Sequence, residues 1–395
     1  MNPVSWLPPL LALFAAIATA YALSLRFEPP STDGRYASID GLRGYLAFFV
    51  FLHHACVWYF YLQAGVWQEP PSNLYANFGQ ASVAMFFMIT GFLFFSKILR
   101  QGNRIDWLQL FVSRILRLTP LYLFMLCVLV VIVLVLTRFT MNESAHVIAG
   151  ELARWASFTI LGDPDINGAG STWTVVAGVT WSLPYEWFFY LSLPLLALGA
   201  RTVAPWPWLI ASMLAMLAFW IWRPEAIHLM PFAWGLLAAL LVRTPAFVRF
   251  SEGRFSSPVA LAALAGEFLL FDSSHGIVQH ALLGIAFALI AGGCTLFGML
   301  HSRSSRFLGE LAYSIYLLHG IALFVLFRFL LVGPHSPEGH WLAVIAAVPV
   351  LLGTSYLTFR LIERPAMNRC GALTASIRRR LGTDRAARQA ISPRS

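Results

Sequence analysis

Eleven apolar runs, most of them close to 20 residues, constrain this chain more than any other feature. They cover roughly residues 5–25, 42–63, 79–97, 112–137, 180–199, 206–222, 226–242, 257–272, 277–299, 307–331 and 341–362. About 20 apolar residues are what a helix needs to cross the hydrocarbon core of a bilayer, and only a helix satisfies its own backbone there without a closed barrel. The expected fold is therefore all-α, a polytopic membrane bundle of about 11 helices. Composition agrees. Of the 395 residues 58% are hydrophobic and 11% charged, with mean hydropathy +0.70, whereas a soluble domain carries about 25% charged residues. The run at 257–272 is short and holds Glu267. The first run has no Lys or Arg before Trp6 to make a basic leader, so it is expected to remain as a span rather than be removed as a signal peptide.

Charge sets the expected orientation. Of the 27 Lys and Arg, 23 fall on one set of alternating loops, the adjoining helix ends and the tail, while Arg138, Arg154, Arg223 and Arg328 fall on the other. The positive-inside rule then puts the N-terminus outside and the C-terminus in the cytoplasm, which an odd number of spans requires. The residues after Glu363 supply +7 of the net +9, so the basic balance reads as a juxtamembrane tail for an anionic leaflet and not as a nucleic-acid surface. The four Cys are scattered with no CxxC pair, which gives no disulfide framework and no zinc site. The longest loop, about 138–179, falls outside; its 151–158 segment is amphipathic enough to lie at the interface, and a Gly-rich stretch, 167–171, follows.

Four segments carry ionisable groups at membrane depth, where they usually line a pathway or a site. In Ile39-Asp40-Gly41-Leu42-Arg43 through His53-His54, Arg43 and His54 are eleven residues apart. That is about 20° more than three helical turns, so both share a face, with the His roughly 16 Å beyond the Arg. His53 points about 100° away and is expected to pack or orient. Arg114 and Arg117 are i,i+3 neighbours whose guanidinium groups suit phosphate or pyrophosphate; topogenic charge explains them equally well. Glu186, among Trp181, Tyr185 and Trp187, has to be paired or neutral, because an isolated buried carboxylate is costly. The aromatics around it suit a carbohydrate platform, and an interfacial aromatic belt is the plainer account. His319, in Tyr313-Ser314-Ile315-Tyr316-Leu317-Leu318-His319, falls near mid-membrane, where an interhelical hydrogen bond is the ordinary role of a His. Glu363-Arg364-Pro365 closes the last span, with the Pro expected to stop the helix.

These segments, together with Met85-Phe86-Phe87-Met88-Ile89-Thr90-Gly91-Phe92-Leu93, resemble the acyltransferase-3 family in content and order over about residues 36–369. Thr90 stands where that family usually has Ser. The resemblance implies a membrane enzyme that moves an acyl group, often acetyl, from cytoplasmic coenzyme A to a hydroxyl, frequently on a bacterial surface sugar such as an O-antigen or exopolysaccharide unit. The expected organisation is an extra N-terminal span and linker at 1–35, the acyltransferase domain at 36–369 and a basic tail at 370–395, in the inner membrane, resembling the short members with no appended hydrolase-like domain. Acyl-coenzyme A is expected as a co-substrate, with no tightly bound cofactor and no metal. His54 and Glu186 are the expected catalytic residues. Arg43, Arg114 and Arg117 would hold the coenzyme phosphates at the inner mouth. Trp181, Tyr185, Tyr316 and His319 would meet the acceptor, with Glu186 on that same outer side. His54 has two roles open to it, general base toward the hydroxyl or covalent carrier of the acyl group. A transporter or flippase of a sugar or lipid-linked intermediate is the rival, since a polar path through a bundle suits it too; no inverted repeat is visible in the sequence.

Overall fold

The computed structural model describes residues 2–26, 36–222 and 224–382. Arg35, Arg223 and the tail beyond 382, all used above to orient the chain, lie outside the described residues. Every apolar run folds as a helix. The chain reads α1 (Leu7–Ser24), α2 (Ala37–Ala64), α3 (Asn73–Gln101), α4 (Trp107–Leu136), α5 (Ala145–Ala156), α6 (Ser182–Gly199), α7 (Trp206–Trp222), α8 (Met230–Leu241), α9 (Pro245–Glu252), α10 (Ser256–Leu270), α11 (Ile277–Ala291), α12 (Arg303–Phe324), α13 (Pro337–Thr358), α14 (Arg364–Asn368) and α15 (Cys370–Arg380). No strand occurs among the described residues. Caps punctuate the run. The Asp106 carboxylate accepts from the Gln109 N–H that opens α4, Ser302 and Ser336 do the same for α12 and α13, and Gly65, at φ +71°, ends α2. Such caps satisfy N–H groups that a helix leaves orphaned.

Length divides these helices. Six are long and apolar enough to cross a membrane, or seven if α8 is joined with α9 across a 102° bend. By contrast α7 has 17 residues and α10 and α11 have 15 each, about 22–26 Å at 1.5 Å per residue. The expected count of 11 spans is therefore not what helix length supports, although the all-helical membrane bundle is. The last span also differs from expectation. Pro365 does not stop it, because the helix passes through a wide π-turn at Phe359–Glu363 and continues into α14. There Pro365 occupies the first turn of α14, directly after the π-turn that the Arg364 N–H closes on the Phe359 carbonyl.

The centre of the bundle is the pair α2 and α12, which run parallel. Tyr45 Oη lies 2.7 Å from Ser305 Oγ near their starts, and His54 meets His319 near their far ends. Glycines set the spacing. A Cβ on Gly309 would stand 1.8 Å from the Asp40 carbonyl oxygen, and one on Gly44 would stand 2.4 Å from Leu308 Cβ. Small residues of this kind let membrane helices approach backbone to backbone. Around the pair, α3 packs on α2 and α8, with Gly235 against the Met88 carbonyl. The first helix is built into the fold. It packs on α12 and α13, its leading segment accepts hydrogen bonds from Tyr75 Oη and Trp341 Nε1, and its last residue, Ser24, accepts one from Arg303. The 138–179 loop packs against the bundle. Trp155 of α5 is fully buried, and the Val176 backbone sits where a Gly320 side chain would be.

Candidate active site

Two cavities stand end to end inside the bundle, and four helices run from one to the other. The first, about 350 Å³, is lined by Arg43, Arg114, Arg117, Glu186, Tyr190 and Glu310, with Thr90, Tyr313 and Tyr316 among its further walls. The second, about 290 Å³, is lined by His53, His54, Gln80, Trp181, His228 and His280, with Glu69, His275 and Tyr316 at its margin. Along α2 the lining passes from Arg43 to His54, along α3 from Phe94 to Gly79, along α12 from Glu310 to Tyr316, and across the start of α6 from Glu186 back to Trp181. Val83, Phe87 and Tyr316 border both. The arginine cavity and the histidine cavity are thus halves of one path, with an aromatic wall between them. Helix geometry foresees this for α2, since 11 residues carry the chain about 16 Å.

The histidines form a defined chain of hydrogen bonds. His319 Nδ1 lies 3.1 Å from the Ile315 carbonyl oxygen, and His54 Nδ1 lies 3.0 Å from both the Val50 carbonyl oxygen and His319 Nε2. A carbonyl only accepts, so each Nδ1 carries its ring proton. His319 Nε2 is then a lone pair that receives the second branch of the His54 Nδ1–H bond. In the neutral ring this assignment leaves His54 Nε2 as the acceptor, on a ring that borders the histidine cavity. His319 is fully buried behind it, so it faces His54 and not the acceptor space expected for it. His53 departs from expectation in the other direction. It lines the same cavity as His54, with Nδ1 2.8 Å from the Tyr75 carbonyl. The 100° between neighbours was expected to turn it away, but α3 passes over the His53 ring at Gly79, where a Cβ would lie 2.8 Å from it.

Glu186 stands in the arginine cavity, not on the acceptor side where the sequence placed it. It is five residues beyond Trp181, about 7 Å farther along α6, which carries it past the wall marked by the Ser182–Tyr316 hydroxyl contact at 2.8 Å. Its carboxylate accepts a hydrogen bond from Tyr190, one turn on. Tyr185 lines neither cavity. It is packed among Phe87, Phe219, Trp222 and His228, and its hydroxyl accepts from the Glu225 N–H at 3.2 Å. Trp181 does border the histidine cavity, partly exposed.

The two arginines of α4 have different surroundings. The Arg117 guanidinium is 3.3 Å from the fully buried carboxylate of Glu363, which also accepts from Ser314. Arg114 lies over the Phe94 ring at 5.0 Å and the Tyr190 ring at 6.0 Å, with no carboxylate at ion-pair distance among the described residues. Arg43 is 4.0 Å from Asp40. Three guanidinium groups and the carboxyl groups of Glu186 and Glu310 thus line the cavity, with Glu363 and Asp40 beside Arg117 and Arg43. Residues the sequence did not single out include Tyr190, Glu310, Gln80 and the three histidines 228, 275 and 280. The last three come from three separate places, His228 from the 3-10 turn before α8, His275 from the loop before α11 and His280 from the first turn of α11. Among the described residues no three His, Cys, Asp or Glu converge as metal ligands.

A family profile described as an acyltransferase domain matches residues 36–360 of the chain. No curated protein matches it, and no solved structure does.

Proposed function

This chain belongs to the acyltransferase-3 family, and on that premise we propose that it moves an acyl group, acetyl first, from coenzyme A to a hydroxyl of a carbohydrate or glycoconjugate. One observation carries the proposal: a cavity lined by three guanidinium groups and a cavity lined by the His54 imidazole meet end to end within one helical bundle. Guanidinium groups bind phosphate oxygens bidentately, so Arg43, Arg114 and Arg117 are suited to the coenzyme phosphates. The thioester would then extend along the path toward His54. The donor side is the cytoplasmic one, and the histidine cavity faces out of the inner membrane, as the distribution of Lys and Arg supports.

At the histidine end the acceptor hydroxyl gives its proton to His54 Nε2 as its oxygen bonds to the thioester carbon. The tetrahedral centre then collapses, the carbon–sulfur bond breaks, and the coenzyme thiolate recovers that proton from the imidazolium. Ester and free thiol result. His319 positions the ring: its lone pair holds the His54 Nδ1–H and becomes a stronger partner once His54 is charged. Trp181 offers a flat apolar face to a sugar ring. Glu186, held by Tyr190 among cations, is placed to order the arginine cavity and not to touch the acceptor.

Purified protein incubated with acetyl-coenzyme A tests the proposal through release of the coenzyme thiol, with and without sugar acceptors. Thiol release lost in His54→Ala, with unacylated coenzyme A still bound, is the expected result. Absence of both binding and release in the wild type would refute the donor assignment. An acetyl adduct trapped on His54 would replace direct transfer by a two-step route.

A further inference from the structure

Three side chains border both cavities: Val83 and Phe87, one turn apart on α3, and Tyr316 on α12. Their neighbours hold two of them in place. The Tyr316 hydroxyl donates to the Val179 carbonyl at 3.0 Å and meets Ser182 Oγ at 2.8 Å, which ties α12 to the start of α6. Phe87 stacks on Phe232 with ring centroids 4.6 Å apart, and Phe232 stacks in turn on Phe189 at 4.5 Å. Phe86, beside Phe87, packs edge-on against the Tyr316 ring. The wall is therefore fixed on both sides and apolar apart from one engaged hydroxyl.

We propose that Val83, Phe87 and Tyr316 form a septum that sets the length of the acyl group this enzyme transfers, admitting acetyl and rejecting longer chains. The proposal rests on the acyl-coenzyme A reading above and extends it to the donor's acyl chain. Its geometry follows from the reaction. The thioester sulfur arrives from the arginine cavity and the acceptor oxygen from the histidine cavity, so the carbonyl carbon has to stand where the two meet. The remaining carbon substituent leaves that carbon at an angle to the sulfur–oxygen line and so points at the septum. Each added methylene has to be fitted against side chains that their neighbours hold in place, where overpacking is unfavourable. A methylene in such a setting alters selectivity by about 10- to 200-fold. Shortening a septum side chain opens the corresponding space.

The test compares thiol release from acetyl-, butanoyl- and hexanoyl-coenzyme A by the full-length protein in lipid nanodiscs, with water as the acceptor, for the wild type, Val83→Ala and Phe87→Ala. Binding of unacylated coenzyme A is measured alongside. The wild type is expected to favour acetyl over butanoyl by at least about tenfold. Each variant is expected to raise the butanoyl-to-acetyl ratio of kcat/KM by about tenfold or more. Val83→Ala removes only two methyl groups and leaves the aromatic stack intact, so it stays informative if Phe87→Ala fails to fold. An unchanged ratio in Val83→Ala with normal coenzyme A binding overturns the septum and leaves the donor assignment standing. A wild type that binds no coenzyme A and releases no thiol from any of the three overturns both.

Discussion

At the scale of single residues, the ring of His54 has one nitrogen committed to Val50 and His319 and the other left as a lone pair. General base catalysis contributes about 10²–10⁴-fold, so His54→Ala should lower turnover by at least that range while the protein still inserts. His53 borders the same cavity, yet it has only a backbone carbonyl behind it. His53→Ala should therefore cost much less than His54→Ala; the reverse order, read from initial rates, would transfer the base to His53. His319 acts through His54. Its replacement by Ala removes the second acceptor of the His54 Nδ1–H and leaves the Val50 carbonyl alone to hold the ring, whereas Gln retains an acceptor for the Nδ1–H. The expected result is a large loss of kcat with little change in KM for His319→Ala, and partial recovery in His319→Gln. Equal losses in both variants would reduce His319 to packing.

Between elements, two contacts hold the site open at its two ends. The first is the parallel pair α2 and α12. Gly44 and Gly309 bring the backbones together, and ten residues on in each helix stand His54 and His319. Gly309→Val would force its side chain into the Asp40 carbonyl. Overpacking of this kind costs about 1–3 kcal/mol, and here it would also separate the two rings. Thermal unfolding and activity should both fall, whereas Gly353→Ala, at a position inside α13 where a Cβ meets nothing, should lower neither. The second contact ties α4 to the π-turn that follows α13 through Arg117 and Glu363. Arg117→Ala strands a fully buried carboxylate, a change that typically costs about 3–5 kcal/mol. Arg114 has no such partner. Arg117→Ala is thus expected to lower the unfolding temperature far more than Arg114→Ala, and Glu363→Gln in the same chain should restore much of the loss. Arg114→Ala should weaken coenzyme A binding at near-normal stability, which equilibrium binding measures directly.

For the whole molecule, the orientation of the arginine cavity follows the orientation of the tail. An ion pair between Arg378 and Asp106 fastens α15 to the start of α4, a little over two turns before Arg114. Helix α15 and the arginine cavity therefore share one end of the bundle. A cysteine introduced at the exposed Ala372 should react with an impermeant thiol reagent only from the cytoplasmic side, in a background where Cys370 is replaced. Labelling from outside alone would invert the bundle and place the arginines where no cytoplasmic donor reaches them.

What the sequence determined was everything that depends on a single stretch of chain. Apolar runs of bilayer length dictate helices because nothing else satisfies a backbone in hydrocarbon, and the structure has a helix at each of them. The relation of Arg43 to His54 is equally local, since a helix fixes both the shared face and the rise. Packing decided the rest. His54 and His319 are 265 residues apart, and their meeting depends on two glycines that let α2 and α12 touch. Glu186 belongs to the arginine cavity because of where the wall falls along α6, and that wall is set by Tyr316 from another helix. Glu363 is a buried partner of Arg117, not the end of a span, because the helix passes through a π-turn into α14. Helix length and hydropathy together set the number of described helices that can cross. In each case the deciding contact joins residues far apart in the chain, and periodicity within one segment carries no information about which partner that segment will face.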